Sequence, residues 1–233
     1  MDKIIVAIGG GSLAEKTTSS IDKYIADLAK QRAGDRRAVG VFIGTASHDS
    51  MPYFNTFRKT YTADYSLKAD CVLSVYGEMN DEKIKTKFEK ADLIYIGGGD
   101  TLFMLDLWKK RGIYDLVLGA YNRGVIIAGL SAGAICWFNQ MYTDSQFENG
   151  NDNYEYSIHP GIGMIDGICC PHYEERAADF DKEVISLDYE NIWAIEGNAA
   201  IVFKNGKFEK TLTSGGKAYK ITKNHDHINK ILL

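Results

Sequence analysis

Short apolar runs recur along this chain at residues 4–8, 38–43, 71–75, 93–96 and 125–128. Each has the length of a strand and is apolar enough to be covered on both faces, as the strands of a parallel sheet are. Amphipathic stretches fill the gaps. Residues 19–31 place Ile21, Tyr24, Ile25 and Leu28 at helical spacing, and residues 102–110 bring Phe103, Leu105, Leu107 and Trp108 close together. This strand–helix rhythm predicts a doubly wound α/β fold on a mostly parallel sheet. A length of 233 residues suits one core, and no linker or repeat divides the chain, so one domain over residues 1–233 is expected.

Past residue 140 the texture changes. A polar, Asn-rich stretch over residues 146–157 predicts a long surface loop, and loops of that length are often functional. The tail returns to short strands at residues 193–195, 199–203 and 218–221, with Lys204-Asn205-Gly206-Lys207 as a hairpin turn.

The chain is 45% hydrophobic and 25% charged, which excludes disorder. Its 27 basic and 31 acidic residues leave a formal charge of -4 without a basic run longer than Lys109-Lys110-Arg111, so neither nucleic acid nor a membrane is an expected partner. No apolar stretch reaches the ~18 residues of a spanning helix, and the first residues lack a secretory h-region. Cys71, Cys136, Cys169 and Cys170 lack the paired spacing of a zinc site or a disulfide framework, so reduced thiols and a cytoplasmic location are expected. No His/Cys/Asp/Glu cluster stands at ligand spacing, and His225-Asp226-His227 reads as a mobile tail; neither a metal nor a cofactor is expected.

Gly129-Leu130-Ser131-Ala132-Gly133 matches G-x-S-x-G, the turn that exposes a strained serine between a strand and a helix. The pattern alone is weak. Its context strengthens it, because residues 125–128 read as a buried strand and residues 132–138 as a helix opening directly after the serine. A serine hydroxyl needs a base to take its proton. His48 lies in a polar loop-like stretch and His225 and His227 in the tail, which leaves His159 and His172. His172 follows the apolar end of a strand in Cys169-Cys170-Pro171-His172-Tyr173, where open α/β sheets gather their active residues, and it is preferred. The plainer alternatives are a structural glycine turn and a hydrogen-bonded histidine at a strand end. Gly97-Gly98-Gly99-Asp100-Thr101 follows another strand but lacks the P-loop lysine and the dinucleotide fingerprint. It suits an oxyanion hole, with an N–H from Gly98 or Gly99 and one from Ala132. Gly9-Gly10-Gly11 is a similar turn, read as structural or substrate-lining.

Taken together, Ile8-Gly9-Gly10-Gly11, Ile96-Gly97-Gly98-Gly99-Asp100-Thr101, Gly129-Leu130-Ser131-Ala132-Gly133-Ala134 and Pro171-His172-Tyr173 resemble, in order and spacing, the serine peptidases that include dipeptidase E and cyanophycinase. The resemblance implies a flavodoxin-like, class I glutamine-amidotransferase-like three-layer α/β sandwich, catalytic roles for Ser131 and His172, and hydrolysis of short peptides. It also implies an acidic residue near a Thr-Asp pair, for which Thr143-Asp144-Ser145 makes Asp144 the first candidate. Glu148 is a reserve, and Glu196 is an alternative from a neighbouring strand end, or a substrate contact. The sequence departs from dipeptidase E after Pro171-His172: the shorter Glu174-Glu175-Arg176 stands where that enzyme has a longer Gly- and Arg-bearing segment. Strict Asp-X specificity is therefore not expected. Arg176 suits a substrate carboxylate, although a helix-surface salt bridge is its default. An esterase or amidase on the same residues, or a noncatalytic binding relative, are the competing readings. A monomer or homodimer is expected.

Overall fold

The structure, a computed structural model, describes residues 2–77, 79–145, 156–224 and 227–233. In chain order the elements begin with β1 (Ile4–Ile8), α1 (Ser19–Ala33), β2 (Val39–Ile43), α2 (Met51–Lys59), β3 (Lys68–Val72) and α3 (Asp81–Lys90). Next come β4 (Leu93–Ile96), α4 (Thr101–Lys110), α5 (Ile113–Asn122), β5 (Ile126–Leu130), α6 (Ala132–Ile135), β6 (Phe138–Thr143) and β7 (Ser157–Pro160). The chain continues through β8 (Ile165–Pro171), α7 (Tyr173–Ile185), β9 (Ile192–Ile195), β10 (Ala199–Lys204), β11 (Lys207–Thr213), β12 (Ala218–Asn224) and β13 (His227–Leu232).

The expected strand–helix rhythm builds a seven-stranded sheet in the order β11-β10-β1-β5-β4-β2-β3, with β1 to β5 parallel and β10 and β11 antiparallel at one edge. A six-stranded sheet, β13-β12-β9-β8-β6-β7, accompanies it, with β6, β8 and β9 parallel. The architecture is α/β with two mixed sheets, where the sequence predicted one.

Alternation along the strands sorts the core into layers. Val6 and Ile8 of β1 and Tyr95 of β4 pack with Ile21, Ile25 and Ala29 of α1 and Phe57 of α2. Ile5, Ala7, Ile94 and Ile96 point the other way, into a cluster that holds Phe88 of α3, Trp108 of α4 and Val117 of α5. The same cluster contains Met141, Cys169 and Ile195 of the second sheet, so the two sheets share one apolar core. The second sheet turns Ile168, Cys170 and Ala194 outward beneath Phe180 and Val184 of α7.

Three local expectations are corrected. The strand expected at residues 71–75 lies at Lys68–Val72, in register with β2 from Val39 to Ile43. The N–H groups of Ser74 and Val75 instead donate to Asp49 Oδ2, at 2.5 and 2.6 Å. The helix expected over residues 132–138 stops at Ile135, because Met164 N and Ile165 N donate to the Trp137 carbonyl and draw the chain into β6 of the second sheet. His227, expected in a mobile tail, opens β13, which pairs with β12; His225 and Asp226 lie outside the described residues. Of the loop expected over residues 146–157, residues 146–155 lie outside the described residues, and Ser157 begins β7. Among the described residues no helix is long and apolar enough to cross a membrane. All four cysteines are free thiols, and burial raises the pKa of Cys136, Cys169 and Cys170.

Candidate active site

Parallel strands release their carboxyl ends on one side of a sheet, and there the glycine turns meet. Ser131 leaves β5 at φ 52°, ψ -108°, a backbone conformation an L-residue adopts only under strain. Its N–H donates to the Ile8 carbonyl of β1 at 2.9 Å, and its own carbonyl accepts from Ala134 and Ile135, at 2.9 and 3.0 Å, as α6 begins. Both flanking glycines have steric causes. A Cβ on Gly129 would collide with the Gly133 carbonyl, and one on Gly133 with the Ile96 carbonyl at the end of β4. The pentapeptide is thus shaped to press the serine turn against two neighbouring strands.

His172 comes from the other sheet, at the end of β8, with a left-handed backbone of φ 49° and ψ 41°. Its N–H donates to the Gly9 carbonyl at 3.0 Å, which fixes the second sheet to the turn after β1. Its Nε2 lies 3.0 Å from Ser131 Oγ. The ring lies over Gly10, where a Cβ would stand 2.5 Å from Cε1, so Gly10 is the small residue that leaves the imidazole its place. Burial, then the positive charge of Arg176, lowers the His172 pKa; Glu175, Glu174 and Asp144 act against that shift. The imidazole is therefore neutral at neutral pH, and a neutral Nε2 can accept the Ser131 proton.

The carboxylates have other partners. Asp144 Oδ2 accepts from Arg176 at 3.1 Å, and Asp144 acts on His172 through its charge. Thr143 and Ser145 on either side share a hydroxyl hydrogen bond, and Ser145 Oγ accepts from Thr101 N at 2.8 Å, tying β6 to the first turn of α4. Glu196 is occupied at both oxygens, by Lys217 N at 2.9 Å and Tyr219 Oη at 3.1 Å, so it joins β9 to β12. Glu148 lies outside the described residues. Arg176 is a correction to the surface salt bridge expected of it: it is 6% exposed, is bonded to Asp144, and lies over the Tyr156 ring at 4.8 Å. Its burial follows from its place on the inner face of α7, one turn after His172.

A cleft of about 390 Å³ opens above these groups, lined by Gly11, Ser12, Leu13, Ala14, Tyr53, Thr56, Gly98, Gly99, Leu130, Ser131 and His172. A larger groove of about 480 Å³ runs along β3 and α3 among Lys68, Lys83, Lys87 and Lys90, away from this chemistry. Gly98 comes close enough to Ser131 that an added Cβ would meet the serine Cβ at 3.4 Å, and its N–H donates to Tyr53 Oη at 3.5 Å. Gly99, at φ 135°, packs on the Ala46 carbonyl. Ala132 opens α6, so its N–H has no partner within the helix. Gly98 and Ala132 thus lie beside Ser131, and Gly99 lines the same cleft. Leu13, Tyr53, Thr56 and Leu130 were not singled out from the sequence, since apolar residues and a lone tyrosine in a helix read as core. Among the described residues no group of three or more His, Cys, Asp or Glu side chains is placed to hold a metal ion.

Comparison with known proteins gives this geometry a setting. A protein of Bacillus subtilis described as an uncharacterized peptidase, YgaJ, is 32% identical over 240 residues, covering 99% of this chain and 97% of its own. Peptidase E of Streptomyces coelicolor is 23% identical over 171 residues, 65% of this chain and 69% of its own. Two crystal structures share the fold. A putative peptidase E protein from Listeria monocytogenes has a TM-score of 0.62 at 20% identity, covering 91% of this chain and 99% of its own. A peptidase from an acI-B1 actinobacterium reaches 0.70 at 15% identity, covering 99% and 94%. The chain therefore has the fold of these two peptidase structures, and that fold is α/β as expected from the sequence. The sequence pattern of peptidase family S51 matches residues 5–211, and this chain belongs to that family of peptidases.

Proposed function

We propose that this peptidase hydrolyses short peptides through an acyl-enzyme on Ser131. The observation that carries the reading is the 3.0 Å contact between Ser131 Oγ and a His172 Nε2 whose ring is kept neutral by burial. Ser131 Oγ attacks the peptide carbonyl carbon while its proton passes to Nε2. The carbonyl oxygen becomes an oxyanion facing the N–H groups of Ala132 and of Gly99, or of Gly98 when it exchanges its long bond to Tyr53 Oη for the oxyanion. When the C–N bond breaks, His172 returns the proton to the leaving amine. Water then attacks the ester, giving its proton to His172, and releases the acid and the serine.

Asp144 enters this scheme as a positioning residue: it pairs with Arg176 and offsets the cation that lowers the basicity of His172. The small cleft suits short peptides better than folded proteins. A cytoplasmic location and a monomer or homodimer complete the proposal.

The test is steady-state hydrolysis of short peptides. Ser131→Ala and His172→Ala each remove the same step, so each should lower kcat/KM by roughly 10⁴-fold or more, and the double variant should lose little beyond either. Full activity in folded Ser131→Ala sinks the reading.

A further inference from the structure

The cleft walls have a chemistry of their own. Beyond the glycines and the reacting pair, the described residues that line it are Ser12, Leu13, Ala14, Tyr53, Thr56 and Leu130, which are two hydroxyls, three aliphatic groups and a phenol. Leu13 is 4% and Leu130 7% exposed, so these walls are fixed by packing. Tyr53 is held just as firmly. Its ring stands edge-on to Phe42 at a centroid separation of 4.9 Å, a Cβ on Gly97 would meet it at 2.9 Å, and its hydroxyl accepts from Gly98 N. Burial pushes the Tyr53 pKa up to about 12, so the phenol is uncharged at neutral pH. The nearby cations have partners outside the cleft: Arg176 is bonded to Asp144, and Lys16, just beyond Ala14, to Asp64 at 2.8 Å.

On the reading that Ser131 is the nucleophile, we infer that this cleft selects peptides whose acyl residue carries an uncharged side chain, held against Leu13, Tyr53 and Leu130. A charged side chain entering it would surrender its water to walls that, among the described residues lining the cleft, offer dipoles and apolar surface but no opposite charge, since the nearby Asp22 carboxyl is buried and bonded to Thr18 and Tyr61. That exchange is unfavourable for either sign. An aliphatic or aromatic side chain loses nothing of the kind and gains contact with a fixed surface. The hydroxyls of Ser12 and Thr56 extend the tolerance to small polar side chains. Tyr53 is the residue on which both functions meet, because the same ring forms the wall and bears on the Gly98 turn beside Ser131.

The experiment is hydrolysis by the full chain of dipeptides Xaa-Leu in which Xaa is Ala, Leu, Phe, Thr, Asp or Lys, with Ser131→Ala as the blank. The inference expects kcat/KM for the Ala, Leu, Phe and Thr members to exceed those for Asp and Lys by roughly 100-fold or more. Thr56→Arg, on the solvent side of α2, should then raise the Asp-Leu rate relative to Ala-Leu at least tenfold while leaving the melting curve two-state. Preference of the wild-type protein for Asp-Leu or Lys-Leu, with Ser131→Ala inactive, overturns the inference and leaves the serine mechanism standing. Equal cleavage by Ser131→Ala overturns both.

Discussion

Asp144 and Arg176 act on the ring of the proposed base through their charges, and that sets how each contributes. A carboxylate bonded directly to a catalytic imidazole holds its tautomer, and its loss costs about 10⁴-fold in kcat. Asp144 is bonded to Arg176 instead, so Asp144→Asn should cost closer to tenfold. It should also leave a particular signature. With its partner neutral, the Arg176 charge acts on His172 against Glu174 and Glu175 alone, and the His172 pKa, already below its ordinary 6.5, drops further. The acidic limb of kcat/KM, which rises as His172 loses its proton, should therefore move to lower pH in the variant, as a pH–rate series would show. An unmoved limb with a loss above 10²-fold places Asp144 directly on the imidazole during turnover. The sequence made Ser131 and His172 legible because a strained turn and a strand-end histidine have local patterns. The carboxylate was not legible, since Thr143-Asp144-Ser145 reads the same whether Asp144 faces the imidazole or a buried arginine.

At the scale of elements, α1 carries a buried acid whose charge is felt at Tyr53 of the cleft wall. Asp22 is 1% exposed and accepts from Thr18 Oγ1 at 2.7 Å and Tyr61 Oη at 2.8 Å. Burial outweighs these donors and raises its pKa from 3.8 to about 6. Between those values the folded chain holds a proton that the unfolded chain has released, so this group's contribution is full below 3.8 and is lost as the pH rises through 6. The slope is at most about 1.4 kcal/mol per pH unit. Asp22→Asn removes the titration, so the wild type should gain stability on the variant as the pH falls from 7 to 4.5, as urea unfolding at several pH values would show. Parallel curves contradict the assignment. Elements with strong periodicity, such as β1, β4 and α1, were read nearly to their ends. The ends of β3 and α6 were not, because Asp49 capping Ser74 and Val75, and Met164 and Ile165 reaching the Trp137 carbonyl, are contacts between residues distant in sequence.

Over the whole molecule, the candidate site exists because two sheets meet. Ser131 ends a strand of the first sheet and His172 a strand of the second, and two backbone bonds, from Ser131 N to the Ile8 carbonyl and from His172 N to the Gly9 carbonyl, bring both to the turn after β1. The apolar runs predicted the first sheet. Of the second, the strands at residues 193–195 and 218–221 were read, as β9 and β12 show, but not their assembly into a separate sheet, which rests on long-range pairing with β8 and β6. The most direct test of Ser131 as a nucleophile activated by His172 is reaction with a fluorophosphonate followed by intact-mass and peptide-mapping analysis. One adduct per chain, located on Ser131, absent in Ser131→Ala and slowed by roughly 10³-fold or more in His172→Ala, is the predicted result. An adduct on another residue, or labelling of His172→Ala at the wild-type rate, would contradict it.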